Sequence, residues 1–117
     1  MSVTEPLLLI AFNRPDLFER LIERLRETKP EKIYVAVDGP RPDHPEDAPK
    51  VARTRELIAT IDWTEDVQVL AQDSNLGCGQ GVSTALSWFF DQEERGIVLE
   101  DDILPQPTFF GFCTELL

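Results

Sequence analysis

A chain of 117 residues has room for one domain built on one modest core. Its 42% hydrophobic and 28% charged residues are those of a globular protein rather than a disordered one, and no apolar run reaches the roughly 18 residues of a membrane span. The formal charge of −11, from 22 acidic against 11 basic residues, argues against nucleic acid as a partner, because that binding relies on neutralising phosphates with Lys and Arg.

The elements follow in alternation. Leu7 to Phe12 is an apolar run short enough for a strand buried on both faces. Asn13-Arg14-Pro15-Asp16 turns into a helix running to about Thr28, with Leu17, Phe18, Leu21, Ile22 and Leu25 on one face. Lys32 to Asp38 reads as a second buried strand, and the Pro-rich, acidic segment Gly39 to Pro49 as a loop. Ala48 to Ile61 is a helix carrying Val51, Leu57, Ile58 and Ile61, followed by a third strand at Val67 to Ala71. The glycine-punctuated Asp73 to Gly81 opens a helix with Val82, Ala85, Leu86 and Phe89 on its stripe and Trp88, Phe89 and Phe90 as expected core. Ile97-Val98-Leu99 is a fourth strand, ending at Glu100-Asp101-Asp102, and a last helix is expected from about Gln106.

Strands alternating with helices predict right-handed crossovers and a three-layer, Rossmann-like α/β fold with a parallel sheet. With the order 3-2-1-4, ligands belong beyond the carboxyl ends of the strands, where the order reverses between the first and fourth. The expected site is therefore Asn13 and Arg14, Asp38, and the acidic triplet, with Arg14 facing Glu100, Asp101 and Asp102.

Three consecutive carboxylates are costly unless something positive sits among them. Alternation along a strand allows Glu100 and Asp102 one side and Asp101 the other. Such a group suits Mg²⁺ or Mn²⁺, held by one or two carboxylates with phosphate and water oxygens completing the shell. An acidic protein that binds a diphosphate needs a cation of this kind between like charges. For an arbitrary acidic triplet a solvated turn is the plainer reading; here the triplet directly follows a buried strand.

Asp38 suits acceptance of hydrogen bonds from a ribose or a base imide, and equally a plain Asp-Gly turn. The loop Asn75 to Gly81 lacks the Lys and Ser/Thr of a phosphate-binding P-loop, so Gly79 and Gly81 are read as structural. Cys78, Cys113 and the single His44 cannot build a standard zinc site, and the two cysteines are expected as free thiols. Without the basic head and apolar run of a signal peptide, a cytoplasmic location is expected.

The order strand, Asn-Arg, strand, Asp-Gly, strand, Asn-x-Gly, helix, strand, acidic triplet resembles the GT-A fold of nucleotide-sugar glycosyltransferases. The likeness is greatest to the N-acetylglucosaminyltransferase I group and related bacterial transferases, in which Glu-Asp-Asp is followed by a proline and a Phe-Phe helix start. Here the matching residues are Glu100-Asp101-Asp102, Pro105 or Pro107, and Phe109-Phe110.

The resemblance implies Arg14 on the nucleotide or its diphosphate and Asp38 on the uracil or ribose. It implies Asp101 on ribose or donor sugar with Glu100 assisting, Asn13 among the donor-binding residues, and Asp102 as the ligand of Mn²⁺ or Mg²⁺. The donor would be a UDP-type sugar and the acceptor is unknown. The family's acceptor site and catalytic base lie beyond the metal motif. The chain is accordingly expected to be the donor half of a longer, truncated transferase, 1–117 forming a single subdomain with no catalytic residue of its own. Phe109, Phe110, Phe112, Leu116 and Leu117 are expected to promote self-association. Two other readings compete. A sugar-nucleotide nucleotidyltransferase would carry a Gly-rich basic loop after the first strand. A receiver-like or adaptor domain binding Mg²⁺ would carry its acidic pair there.

Overall fold

The computed structural model describes residues 4–101. The strands are β1 (Leu7–Ala11), β2 (Ile33–Val37), β3 (Val67–Ala71) and β4 (Ile97–Glu100), and they form one sheet in the order β3-β2-β1-β4. All three pairings are parallel. The fold class and strand order match the expectation from sequence.

Three helices cover the sheet: α1 (Pro15–Thr28), α2 (Asp47–Leu57) and α3 (Cys78–Phe90). The order dictates which face each takes. Steps from β1 to β2 to β3 run in one direction, so right-handed crossovers put α1 and α2 on the same face. The step to β4 runs back past β1, and α3 crosses on the other. Side-chain alternation sorts the core in the same way. Leu7, Leu9, Ala11, Ile33, Val35, Val37, Ile97 and Leu99 pack with Phe18, Leu21, Ile22 and Leu25 of α1 and Val51 and Leu57 of α2. Leu8, Tyr34 and Ala36 pack with Ala85 and Phe89 of α3.

The helices begin and end for local reasons. Pro15, which lacks an N–H that would be orphaned there, is the first residue of α1. The α1 helix closes at Lys29, in the left-handed region at φ 48°, whose N–H reaches the Leu25 carbonyl. The α2 segment is shorter than the sequence implies: it tightens into a 3-10 turn at Ile58–Thr60, leaving Ile58 half-buried and Ile61 buried beyond it.

Among the described residues only α3 covers the second face, and it does so thinly. Its buried residues are Ala85 and Phe89, while Val82, Leu86 and Trp88 are half-buried. Phe90, expected in the core, is 45% exposed, which corrects that reading. One residue past Phe89 on a helix lies about 100° around the axis, so two adjacent aromatics cannot both face the sheet. On the amino side of this face, the Tyr34 hydroxyl donates to Glu93 at 2.6 Å and Lys32 pairs with the same carboxylate at 2.9 Å.

No helix among the described residues is long and apolar enough to cross a membrane. Cys78 is a free, exposed thiol. Asp102, Cys113, the Phe109-Phe110 pair and the helix expected from Gln106 lie outside the described residues.

Candidate functional site

Because α3 leaves the sheet half covered, a cavity of about 430 Å³ opens between its first turns and the carboxyl ends of the strands. That is within the usual range of small-molecule sites. Its floor is a row in register across all four strands: Leu70 beside Ala36, Ala36 beside Ile10, and Ile10 beside Glu100. Three of these are apolar, and the fourth brings a carboxylate to the β4 end. Val82 and Ala85 of α3 form the roof, with Gly77, Cys78 and Gly81 nearer the mouth.

All five of the described residues singled out in the sequence border this one cavity: Asn13, Arg14, Asp38, Glu100 and Asp101. The sixth, Asp102, lies outside the described residues. Arg14 is the N-cap residue of α1 and is exposed on the rim. Glu100 is also exposed, on the same face as Ile10. Asp101 is half-buried and closes the crevice between β1 and β4. Its N–H donates to the Ile10 carbonyl at 3.0 Å, and its Oδ2 accepts from the Phe12 N–H at 3.4 Å.

Asp38 is committed to the protein itself. Its Oδ1 accepts from the N–H groups of Gly39 (2.8 Å) and Leu76 (2.9 Å). Its Oδ2 accepts from the Gly77 N–H (3.1 Å) and the Asn75 side-chain amide (3.2 Å). An ionised carboxylate has about four lone-pair positions, so these four donors fill it. Asp38, the residue expected to receive a ribose or base, ties the end of β2 to the loop entering α3. Gly39 lets that loop close down, since a Cβ there would stand 2.6 Å from the Ser74 carbonyl carbon.

A second carboxylate, which sequence reasoning missed, has the same saturation. Asp47, the first residue of α2, is fully buried. Its Oδ1 accepts from the Asn13 amide (2.9 Å) and Arg41 Nη2 (3.0 Å), and its Oδ2 from Arg41 Nε (2.7 Å) and the Arg41 N–H (3.1 Å). Arg41 holds the Asp47 carboxyl far below the usual carboxylate range, outweighing burial, which acts the other way; Asn13 adds to the effect. Arg41 borders the cavity, and its guanidinium lies 5.6 Å from the centre of the Phe12 ring. The available signal was an Arg and an Asp flanking the proline-rich turn after β2, a spacing suited to an ion pair across a loop.

Asp38, Glu100 and Asp101 thus oppose Arg14 and Arg41 around the cavity. Asp38 is filled by neutral donors and Arg41 is paired to Asp47, while Glu100 and Asp101 line the cavity at the β4 end. Among the described residues no group of three His, Cys, Asp or Glu side chains stands close enough to hold a metal ion.

No protein-family model matches the chain, and comparison with curated protein sequences likewise finds no match.

Proposed function

We propose that the domain binds a nucleoside diphospho-sugar of the UDP type together with Mn²⁺ or Mg²⁺, as the donor-binding part of a glycosyltransferase acting on an unknown acceptor. The observation that carries this reading is the convergence of Arg14, Glu100 and Asp101 on one cavity at the carboxyl ends of β1 and β4, where the strand order reverses.

The chemistry of the lining supports it. Ile10, Ala36 and Leu70 offer an apolar bed for the face of a pyrimidine base or a ribose, with burial worth about 25 cal/mol per Å² of apolar surface. Asp101, with Glu100 beside it, offers carboxylate oxygens to the ribose or donor sugar, and Asp102, expected from the sequence as the metal ligand, would hold the divalent cation. When bound, the cation provides Lewis acidity toward the departing nucleoside diphosphate. Arg14 contributes a second positive group on the rim to a phosphate, and Asp38 keeps the loop before α3 against the ligand.

Calorimetric titration with uridine, cytidine, adenosine and guanosine diphosphates, in Mn²⁺ and in excess EDTA, tests the reading. UDP should bind best, and only weakly in EDTA. Equal UDP affinity in the two conditions would remove the metal bridge, and absence of nucleotide binding altogether would remove the function.

A further inference from the structure

Arg41 is fixed more firmly than a loop arginine needs to be. Two of its nitrogens form a forked pair with a carboxylate that is fully buried, and the aromatic face of Phe12 lies beneath its guanidinium. Such bidentate geometry sets both the position and the plane of the cation. A guanidinium carries five N–H groups, and those on Nη1 form no hydrogen bond among the described residues. The residue is part-exposed and borders the cavity beside Asp38. Arg14, by contrast, stands on the rim, its side chain with neither an ion pair nor a hydrogen bond among the described residues. The saturation of Asp38 sharpens the point. With four donors already on that carboxylate, Arg41 is the charged neighbour that borders the β2 end of the cavity.

We propose that Arg41 is a ligand-binding residue: its Nη1 edge donates to an acceptor oxygen of the nucleotide, and Asp47 with Asn13 positions it. This rests on the nucleotide-binding reading above. The acceptor is either a base carbonyl or a phosphate oxygen, both of which suit a planar cationic donor. Holding the guanidinium in advance lowers the ordering cost on binding. It also accounts for a buried carboxylate at the edge of a ligand cavity, where a plain loop closure would leave the pair in solvent.

The test uses Arg41→Lys, which keeps a cation beside Asp47 but loses the planar second edge. Its melting temperature should fall modestly, because lysine cannot keep both side-chain hydrogen bonds to the buried Asp47, with the variant still folded at the assay temperature, while UDP affinity in Mg²⁺ falls about tenfold, the loss of one charged hydrogen bond. Uridine separates the two sources: an equal loss for uridine assigns a base carbonyl, and a loss confined to UDP assigns a phosphate. A second measurement needs no variant. In the ¹⁵N-labelled parent, the Arg41 side-chain resonances should shift on UDP addition. Parent-like UDP affinity in Arg41→Lys, or unmoved Arg41 side-chain signals at saturation, overturns the assignment of Arg41 alone. A parent protein that binds neither uridine nor UDP overturns the nucleotide reading, and the role of Arg41 with it.

Discussion

The carboxylate of Asp38 and the backbone of Gly81 are in near contact: a Cβ on Gly81 would stand 3.2 Å from Asp38 Oδ2. Gly79, two residues earlier in α3, would meet nothing within 4 Å. The two glycines therefore separate helix propensity from packing. Gly79→Ala should stabilise the domain by several tenths to about 1 kcal/mol, since Ala is the better helix former. Gly81→Ala should forfeit that gain, because Asp38 cannot give way without stretching hydrogen bonds. Urea unfolding of both variants decides it, and equal stabilisation by the two would deny the contact.

Asp38→Ala should destabilise by about 2–3 kcal/mol, since four donors lose their acceptor and only the Asn75 amide has a second one, the Gly39 carbonyl. The loss should be local in character. Amide exchange ought to quicken most at Leu76 and Gly77, whose N–H groups it accepts. Unchanged protection at those two amides would mean that Asp38 does not hold the loop.

The pH dependence follows from groups at opposite ends of the sheet. Asp47 is held low by Arg41, and Glu93 is held low by Lys32 first and the Tyr34 hydroxyl second. A depressed carboxyl gives stability that is present above its unfolded value, near about 4, and is lost as pH falls through the folded one. The melting temperature should fall steeply below about pH 4, and Asp47→Asn should flatten that slope. At the alkaline end, burial and then the Glu93 hydrogen bond push the Tyr34 phenol up to about 12. Its raised value gives stability that is full below about 10 and is lost as pH rises toward the folded value. With one tyrosine in the chain, tyrosinate absorbance reports this group alone. Titration at an ordinary phenol value in the folded protein would contradict the buried Tyr34–Glu93 bond.

Cys78 provides a direct reporter of occupancy, being exposed and on the lining of the cavity. In a Cys113→Ser background, UDP with Mg²⁺ should slow alkylation of Cys78 several-fold. An alkylation rate indifferent to saturating nucleotide would put the ligand elsewhere.

Much of the architecture is written in local sequence. The unbroken apolar runs at Leu7 to Phe12 and Ile33 to Val37 could only be strands covered on both faces, and the alternating helices then force parallel pairing. The carboxyl-end rule further directs attention to Asn13, Arg14, Asp38, Glu100 and Asp101, which do share a cavity. What local sequence does not carry is how those side chains spend their hydrogen bonds. Three of Asp38's four donors lie about 37 positions away and Asn13 reaches Asp47 across 34, contacts that no spacing rule signals because only the closed sheet creates them; the Arg41–Asp47 pair, six residues apart, was the local part of that cluster. The thin cover of α3 has a similar origin. Val82, Ala85, Leu86 and Phe89 make a plausible stripe, but the small Ala36, Gly81 and Ala85 open a cavity where a packed layer was expected.

On the proposed reading, the cavity between α3 and the strand ends receives a metal-bound nucleoside diphosphate. Amide chemical-shift mapping with UDP in Mg²⁺ tests it most directly. Saturable shifts are expected at Phe12 to Arg14, at Asp38 to Arg41, at Gly77 to Gly81 and at Glu100 and Asp101, all of which weaken when EDTA replaces Mg²⁺. Shifts confined to the outer face of α1, around Glu19 to Glu27, or no saturable shifts at all, would contradict it.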